Sequence, residues 1–249
     1  MALTDDQLDR YARHIILKEV GGAGQQALLN ASVVVVGAGG IGSPVIQYLA
    51  AAGIGRLRLI DDDVVDLSNL QRQTIFAMAD IGRPKVEAAA DWVRAANSDV
   101  TVEPVRARID ADNVRELLAG ADAIIDGCDN FATRLAVSDA SVALRIPLVS
   151  AAVGQFDGQL ATWRGWEAGQ PCYRCLVGSD PARDELSCAD QGVLGAITGI
   201  MGSLGASEVL RALTGFGEDA AGRLLLVDAL AFRFRTIKVS KDPACRCAA

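Results

Sequence analysis

Val33-Val34-Val35-Val36-Gly37-Ala38-Gly39-Gly40-Ile41-Gly42, followed by Asp61-Asp62-Asp63, is the stretch on which the fold turns. Four β-branched residues in a row, with no polar alternation, suit a strand buried on both faces of a parallel sheet. The glycines let the backbone turn sharply and approach a phosphate, whose charge then sits at a helix N-terminus. The acidic cluster begins 19 residues after Gly42, where a carboxylate at the end of the next strand can bond ribose hydroxyls. The chain therefore reads as a nucleotide-binding α/β protein.

Such a turn alone fits a nicotinamide dinucleotide, and an oxidoreductase is the rival reading from another class. Two features argue against it. Gly40 strips the first helical turn of side-chain bulk facing the phosphates. Downstream, Asn69-Leu70-Gln71-Arg72-Gln73 and Arg83-Pro84-Lys85 bring cations and amides to the same site, which suits a triphosphate better than a nicotinamide. No second domain with obvious general acid–base residues is visible for hydride transfer.

The 249 residues are 51% hydrophobic and 22% charged, with a net charge of -7. That composition suits one large folded unit and excludes disorder. The acidic balance argues against nucleic acid or an anionic membrane as the main partner. The stretch 191–207 is uncharged, but it is short for a span and Glu208 and Arg211 follow it; its glycines 195, 199, 202 and 205 suit a helix pressed on one face against the sheet or a second subunit. A polar, acidic start without a secretory signal, and six cysteines, point to reducing cytoplasm.

Hydrophobic periodicity predicts a helix over about 4–30 with a glycine break at 21–22, in which His14 is a surface residue. Strands follow near 32–36, 56–60, 100–105, 123–126 and 148–152, alternating with helices over 42–52, 85–97, 112–118 and 133–144. From residue 158 the texture changes to short alternating segments at 159–164, 223–228 and 232–239. The expected fold is a Rossmann-like, doubly wound, mainly parallel α/β sheet continued by antiparallel strands. It is one domain over 1–249, with a nucleotide-binding half at 1–150 and a partner-binding half at 151–249.

Cys172-Tyr173-Arg174-Cys175 and the terminal Cys245-Arg246-Cys247, if brought together, would form a tetrahedral thiolate site for a structural zinc clip. A redox Cys-x-x-Cys pair and four unrelated thiols are the alternatives. The spacer of the second pair, one residue instead of two, tightens its chelate angle. Cys188 lies in a stretch rich in Asp, Ser and Pro. It could form a thioester or accept sulfur, or be a bystander. Asp129, after the strand at 123–126, could hold Mg2+ on a nucleotide's phosphates, or Asp129 or Asn130 could cap the following helix.

Taken in order, Arg10-Tyr11-Ala12-Arg13-His14, Gly37–Gly42, Asp61-Asp62-Asp63, Leu67–Gln73, Arg83-Pro84-Lys85, Cys128-Asp129-Asn130, Cys172–Cys175 and Cys188 resemble the MoeB/ThiF (HesA/MoeB/ThiF) family, bacterial relatives of the ubiquitin-activating enzymes. The terminal Cys-x-Cys departs from that family's usual Cys-x-x-Cys. The resemblance implies ATP-dependent adenylation of the C-terminal glycine of a ubiquitin-like sulfur carrier ending in Gly-Gly, with release of pyrophosphate. By carry-over, Gly37, Gly39, Gly40 and Gly42 cradle the phosphates, Asp61 binds ribose, and Asp63 belongs to the nucleotide site. Arg72 and Lys85 stabilise the phosphates, assisted by Asn69 and Gln73, and Asp129 holds Mg2+. Arg13 would come from the partner subunit of a homodimer. The carrier's tail would pass near Cys188, and a separate donor would deliver sulfur, since no rhodanese-like domain follows residue 249. The carrier of molybdopterin synthase is the expected substrate; the thiamine-pathway carrier, or both carriers, are the alternatives.

Overall fold

The computed structural model describes residues 3–178 and 192–248. The valine run forms β1 (Ser32–Val36), whose parallel neighbours are β2 (Arg56–Ile60) and β4 (Ala123–Asp126). Val33 stands in register with both Leu57 and Ala123. β3 (Thr101–Val105) extends the sheet beyond β2, and β5 (Leu148–Val153) beyond β4. The strands β6 (Asp157–Trp163), β7 (Arg223–Asp228) and β8 (Arg233–Lys238) then add antiparallel. Among the described residues one eight-stranded sheet results, in the order β3-β2-β1-β4-β5-β6-β7-β8.

Both faces of β1 are covered, as its unalternating pattern requires. Val33 and Val35 share a core layer with α4 (Gly42–Ala52), α5 (Lys85–Ala96) and the long helix α9 (Gly195–Thr214), through Ile46, Leu49, Val86, Val93 and Met201. Val34 and Val36 face α6 (Val114–Leu118) and α7 (Phe131–Leu144), through Leu118 and Val137. α8 (Tyr173–Val177) is a single turn near the C-terminal end of the chain. β8 is an edge strand, and its exposed Arg233, Arg235 and Lys238 disfavour further strand pairing.

No described helix is long and apolar enough to cross a membrane. The glycines of α9 divide between close contact and open space. A Cβ on Gly202 would lie 2.4 Å from the Ile41 carbonyl oxygen, and one on Gly205 2.8 Å from Ile125, whereas one on Gly199 would meet nothing within 4 Å. Gly199 therefore does not pack against the sheet of its own chain.

The N-terminal region also differs from expectation. Instead of a helix over 4–30 broken only at 21–22 there are three pieces, α1 (Asp5–Arg10), α2 (Ala12–Ile15) and α3 (Gly21–Asn30). Tyr11 breaks the first helix at φ -100°, ψ 13°, and its ring lies buried beside Gly53. Its hydroxyl donates to Asp99 Oδ2 at 2.9 Å and accepts from Asn97 Nδ2 at 2.9 Å. His14 is half-buried instead of a free surface residue. Its Nδ1 lies 3.1 Å from Oε1 of the fully buried Gln25, which donates to the Ala52 carbonyl.

Candidate active site

A cavity of about 580 Å3 opens outside the carboxyl ends of β1, β2 and β4. This is where the strand order reverses, since β2 and β3 lie on one side of β1 and β4 and β5 on the other. Open α/β sheets place ligands at such a switch point. Gly37, Gly39, Gly40, Asp61, Asp63, Asn69, Arg72, Gln73, Lys85 and Asp129 all line it. The turn's glycines serve two different ends. Gly37 sits at φ +89°, and a Cβ on Gly42 would stand 2.0 Å from the Gly37 carbonyl oxygen, so those two are demanded by the backbone. A Cβ on Gly39 would meet nothing nearer than Gln73 Nε2 at 3.8 Å. Gly39 is thus free to carry a side chain as far as the protein is concerned, and its bareness leaves room for a ligand.

Asp61 holds the turn together from β2. Its carboxylate accepts the Ala38 N–H at 2.7 Å and the Asp63 N–H at 2.9 Å. Burial raises its pKa above the ordinary 3.8, against the opposing pull of Lys85 and the two backbone donors. Lys85 is the first residue of α5, with its side chain 7% exposed, and donates from Nζ to Asp63 Oδ2 at 2.8 Å. A cation at a helix N-terminus opposes the helix dipole. Its burial there is compensated by an anion, which Asp63 supplies. Arg72 makes no ion pair among the described residues and donates only to the Ser68 carbonyl at 3.1 Å. Asn69 Oδ1 accepts the Asp66 N–H, closing the 3-10 turn Leu67–Asn69. Gln73 is buried, and its Oε1 has no hydrogen-bond partner among the described residues. A polar ligand fits that vacant acceptor, the bare glycine turn and the cations around them.

On the β4 side, Asn130 rather than Asp129 caps α7, accepting the Thr133 N–H at 2.9 Å. Asp129 remains exposed at the cavity wall, with no hydrogen bond or ion pair among the described residues. Sequence reasoning missed Arg134, which also lines the cavity. Its buried guanidinium donates to the carbonyls of Cys128 and, at 2.7 Å, Ala151, and lies 3.9 Å from Asp126 Oδ2. It therefore braces the segment carrying Asp129 against β5. The available signal was an arginine on the helix face shared by Val137, Ser138 and Ser141, all buried. Arg108 and Thr198 are further unpredicted lining residues. Gly42 lies beneath the turn and does not line the cavity. Arg13 is exposed, outside the cavity, and without an ion pair among the described residues. Cys188 falls outside the described residues.

The four paired cysteines meet in a second cluster. Sγ–Sγ distances are 3.9 Å for Cys172–Cys175, 3.6 Å for Cys172–Cys245 and 3.5 Å for Cys175–Cys247. All four sulfurs lie within 4.8 Å of one another. A tetrahedron of thiolates around one zinc has edges of about 3.8 Å, so the donor set and spacing fit such an ion despite the shorter second arm. Burial raises the Cys172 thiol and lifts Cys247 to about 11. Cys175, against the upward push of burial, is held below its ordinary value by donors that include the Asp242 backbone N–H.

Comparison with known proteins follows the same lines. Residues 11–247 match the model of the ThiF family. The chain is 48% identical over 98% of its length to the SAMP-activating enzyme E1 of Haloferax volcanii, covering 90% of that protein. It is 46% identical to the sulfur carrier protein adenylyltransferase of Thermus thermophilus, over 98% of this chain and 92% of the other. It is 40% identical to the molybdopterin-synthase adenylyltransferase of Escherichia coli, over 98% and 97%. Among solved structures, E. coli MccB with ATP superposes with a TM-score of 0.84 over 96% of this chain and 75% of that one; at 24% identity the likeness is one of fold.

Proposed function

This chain belongs to the ThiF family, and from that premise we propose that it adenylates the C-terminal glycine of a ubiquitin-like sulfur carrier in molybdopterin biosynthesis. The observation that carries the reading is the single cavity in which the bare glycine turn faces Arg72, Lys85, Gln73 and Asp129. The reaction joins a carboxylate oxygen of the carrier to the α-phosphorus of ATP and breaks the bond to the β-phosphate bridging oxygen. That oxygen leaves with the electron pair as pyrophosphate. No protein nucleophile is required, and catalysis is positioning plus neutralisation of the charge on the phosphates.

Gly39 leaves space for the phosphates, Gly40 lets the turn pass Thr198, which a Cβ would meet at 3.0 Å, and Asp61 offers its carboxylate to ribose while fixing the turn. Lys85 would exchange its contact with Asp63 for phosphate oxygens, with Arg72, Asn69 and Gln73 around them. Asp129, left free by Asn130's capping role, would hold Mg2+, which supplies further charge neutralisation when bound. Arg134 keeps the Asp129 segment in place. Arg13, exposed and outside the lining of its own cavity, would act in the partner subunit of a homodimer. The four cysteines would hold a structural zinc that pins the C-terminus to the loop before α8. A cytoplasmic setting, a carrier ending in Gly-Gly and a separate sulfur donor complete the proposal.

A second reading, an activator serving carriers of more than one pathway, is favoured by one observation. Identity is higher to the sulfur carrier protein adenylyltransferase (46%) than to the molybdopterin-synthase enzyme (40%). ATP–pyrophosphate exchange with two purified Gly-Gly carriers, one from the molybdopterin and one from the thiamine pathway, tests both. Exchange with the molybdopterin carrier alone is expected on the first reading, and exchange with both on the second. Zinc-loaded, folded protein that supports exchange with neither would overturn the proposal.

A further inference from the structure

Each arm of the cysteine cluster carries an arginine between its thiols, Arg174 in the first and Arg246 in the second. Both reach the same carboxylate, Asp139 on α7. Arg174 grips it with two donors, Nε to Oδ1 at 2.6 Å and Nη2 to Oδ2 at 2.8 Å. Arg246 Nη1 donates to Oδ2 at 3.4 Å. The two arms are thus joined twice, once sulfur to sulfur and once guanidinium to carboxylate to guanidinium.

The second junction answers a weakness of the second arm. The first arm closes on itself, since the Cys175 N–H donates to the Cys172 carbonyl at 3.0 Å, and it leads directly into α8. The Cys-x-Cys arm lies beyond β8 and, among the described residues, carries no regular structure besides the 3-10 turn Arg246–Ala248, so its placement depends on side-chain ties. Its Cys245 N–H donates back to Asp242 at 3.0 Å within the same tail, so that bond does not fix the tail to the rest of the protein. Asp139 does. A divalent ion in four thiolates also leaves two formal negative charges, and Arg174 and Arg246 with their shared carboxylate bring a net positive charge beside it that offsets part of them.

We propose that Asp139 is a positioning residue of the four-cysteine site, orienting Arg174 and Arg246 so that the Cys-x-Cys arm stays closed on the metal. The inference rests on the zinc reading given above. It also ties that site to α7, the helix whose N-terminus carries Asn130 and Arg134 at the cavity.

The experiment is zinc release from the purified full-length protein into excess chromophoric chelator, followed for the wild type, Asp139→Asn, Asp139→Glu, Arg246→Ala and the Asp139→Asn/Arg246→Ala double variant. Wild type should hold one zinc per chain, and Asp139→Asn should release it about 10- to 100-fold faster, the range for loss of an orienting partner. Arg246→Ala, a change at an exposed side chain that leaves folding intact, should also speed release. The double variant should match Asp139→Asn alone, and Asp139→Glu should recover part of the retention. A purely structural carboxylate would give additive rates and no rescue by glutamate. Release from Asp139→Asn at the wild-type rate would overturn the inference while leaving the zinc reading intact. Wild type that binds no zinc would overturn the zinc reading itself, and the inference with it.

Discussion

Lys85 stands where elementary electrostatics would not put a lysine. It opens α5, where the helix dipole is positive, and its side chain is almost wholly buried. Asp63, largely exposed, is its compensating anion. A cation held in this way is a binding group whose placement costs stability. Lys85→Met should therefore leave the ligand-free fold as stable or up to about 1 kcal/mol more stable, while reducing pyrophosphate exchange by roughly 100-fold or more. Paired urea melts and exchange assays check it, and a large loss of stability would place Lys85 among structural residues. Asp61 presents the opposite case, a carboxylate that burial pushes above 3.8. Its folded form holds the proton more tightly than the unfolded chain does. The stability it contributes is thus complete below the unfolded pKa and is lost as pH rises through the folded one. The stability of wild type relative to Asp61→Asn should fall with rising pH across that window and level off above it. Urea midpoints taken at intervals from acid to neutral pH give the comparison, and a difference that does not change with pH would refute it.

At the scale of elements, the glycine turn between β1 and α4 separates what the backbone needs from what the ligand needs. Gly42→Ala forces a methyl against the Gly37 carbonyl and should destabilise the protein by about 3 kcal/mol. Gly39→Ala meets nothing closer than 3.8 Å. It should leave the melting temperature within a few degrees of wild type, yet weaken ATP binding at least about tenfold. Calorimetry on the two variants distinguishes them; equal losses of stability would refute the division. Central elements such as β1, α4, β2, β4 and β7 were legible because each carries an unbroken periodic or β-branched pattern bounded by glycine or acidic residues. The break at Tyr11 was not, because the side chain that ends α1 is held by Gly53, Asn97 and Asp99, all distant in sequence. Arg134 escaped for a related reason. An arginine on a helix reads as solvated until its partners, the carbonyls of Cys128 and Ala151 and the carboxylate of Asp126, are brought around it.

Across the whole molecule, one sheet draws on both halves of the chain. Short motifs scattered from residue 37 to residue 129 accordingly converge on one cavity, and those from 172 to 247 on one cysteine cluster. Spacing within a motif revealed the chemistry of each group, and only the topology could bring the groups together. Arg13 remains outside both sites, exposed and without an ion pair among the described residues. In the proposed homodimer this cation, which makes no ion pair among the described residues of its own subunit, is assigned to the cavity of a second copy. If Arg13 acts across a dimer, Arg13→Ala and Lys85→Ala should each be inactive as pure proteins, because every site then lacks one cation. After subunit exchange between equal amounts, half of the dimers pair one variant with the other, and each such dimer contains one site with both residues intact. Exchange activity should then return to roughly a quarter of the wild-type value, as random pairing of a symmetric dimer requires. If Arg13 serves its own subunit, no mixture can rebuild a complete site and activity stays at the level of the pure variants. Subunit exchange monitored in parallel, by mass or by differently labelled subunits, makes the absence of recovery decisive against action in trans.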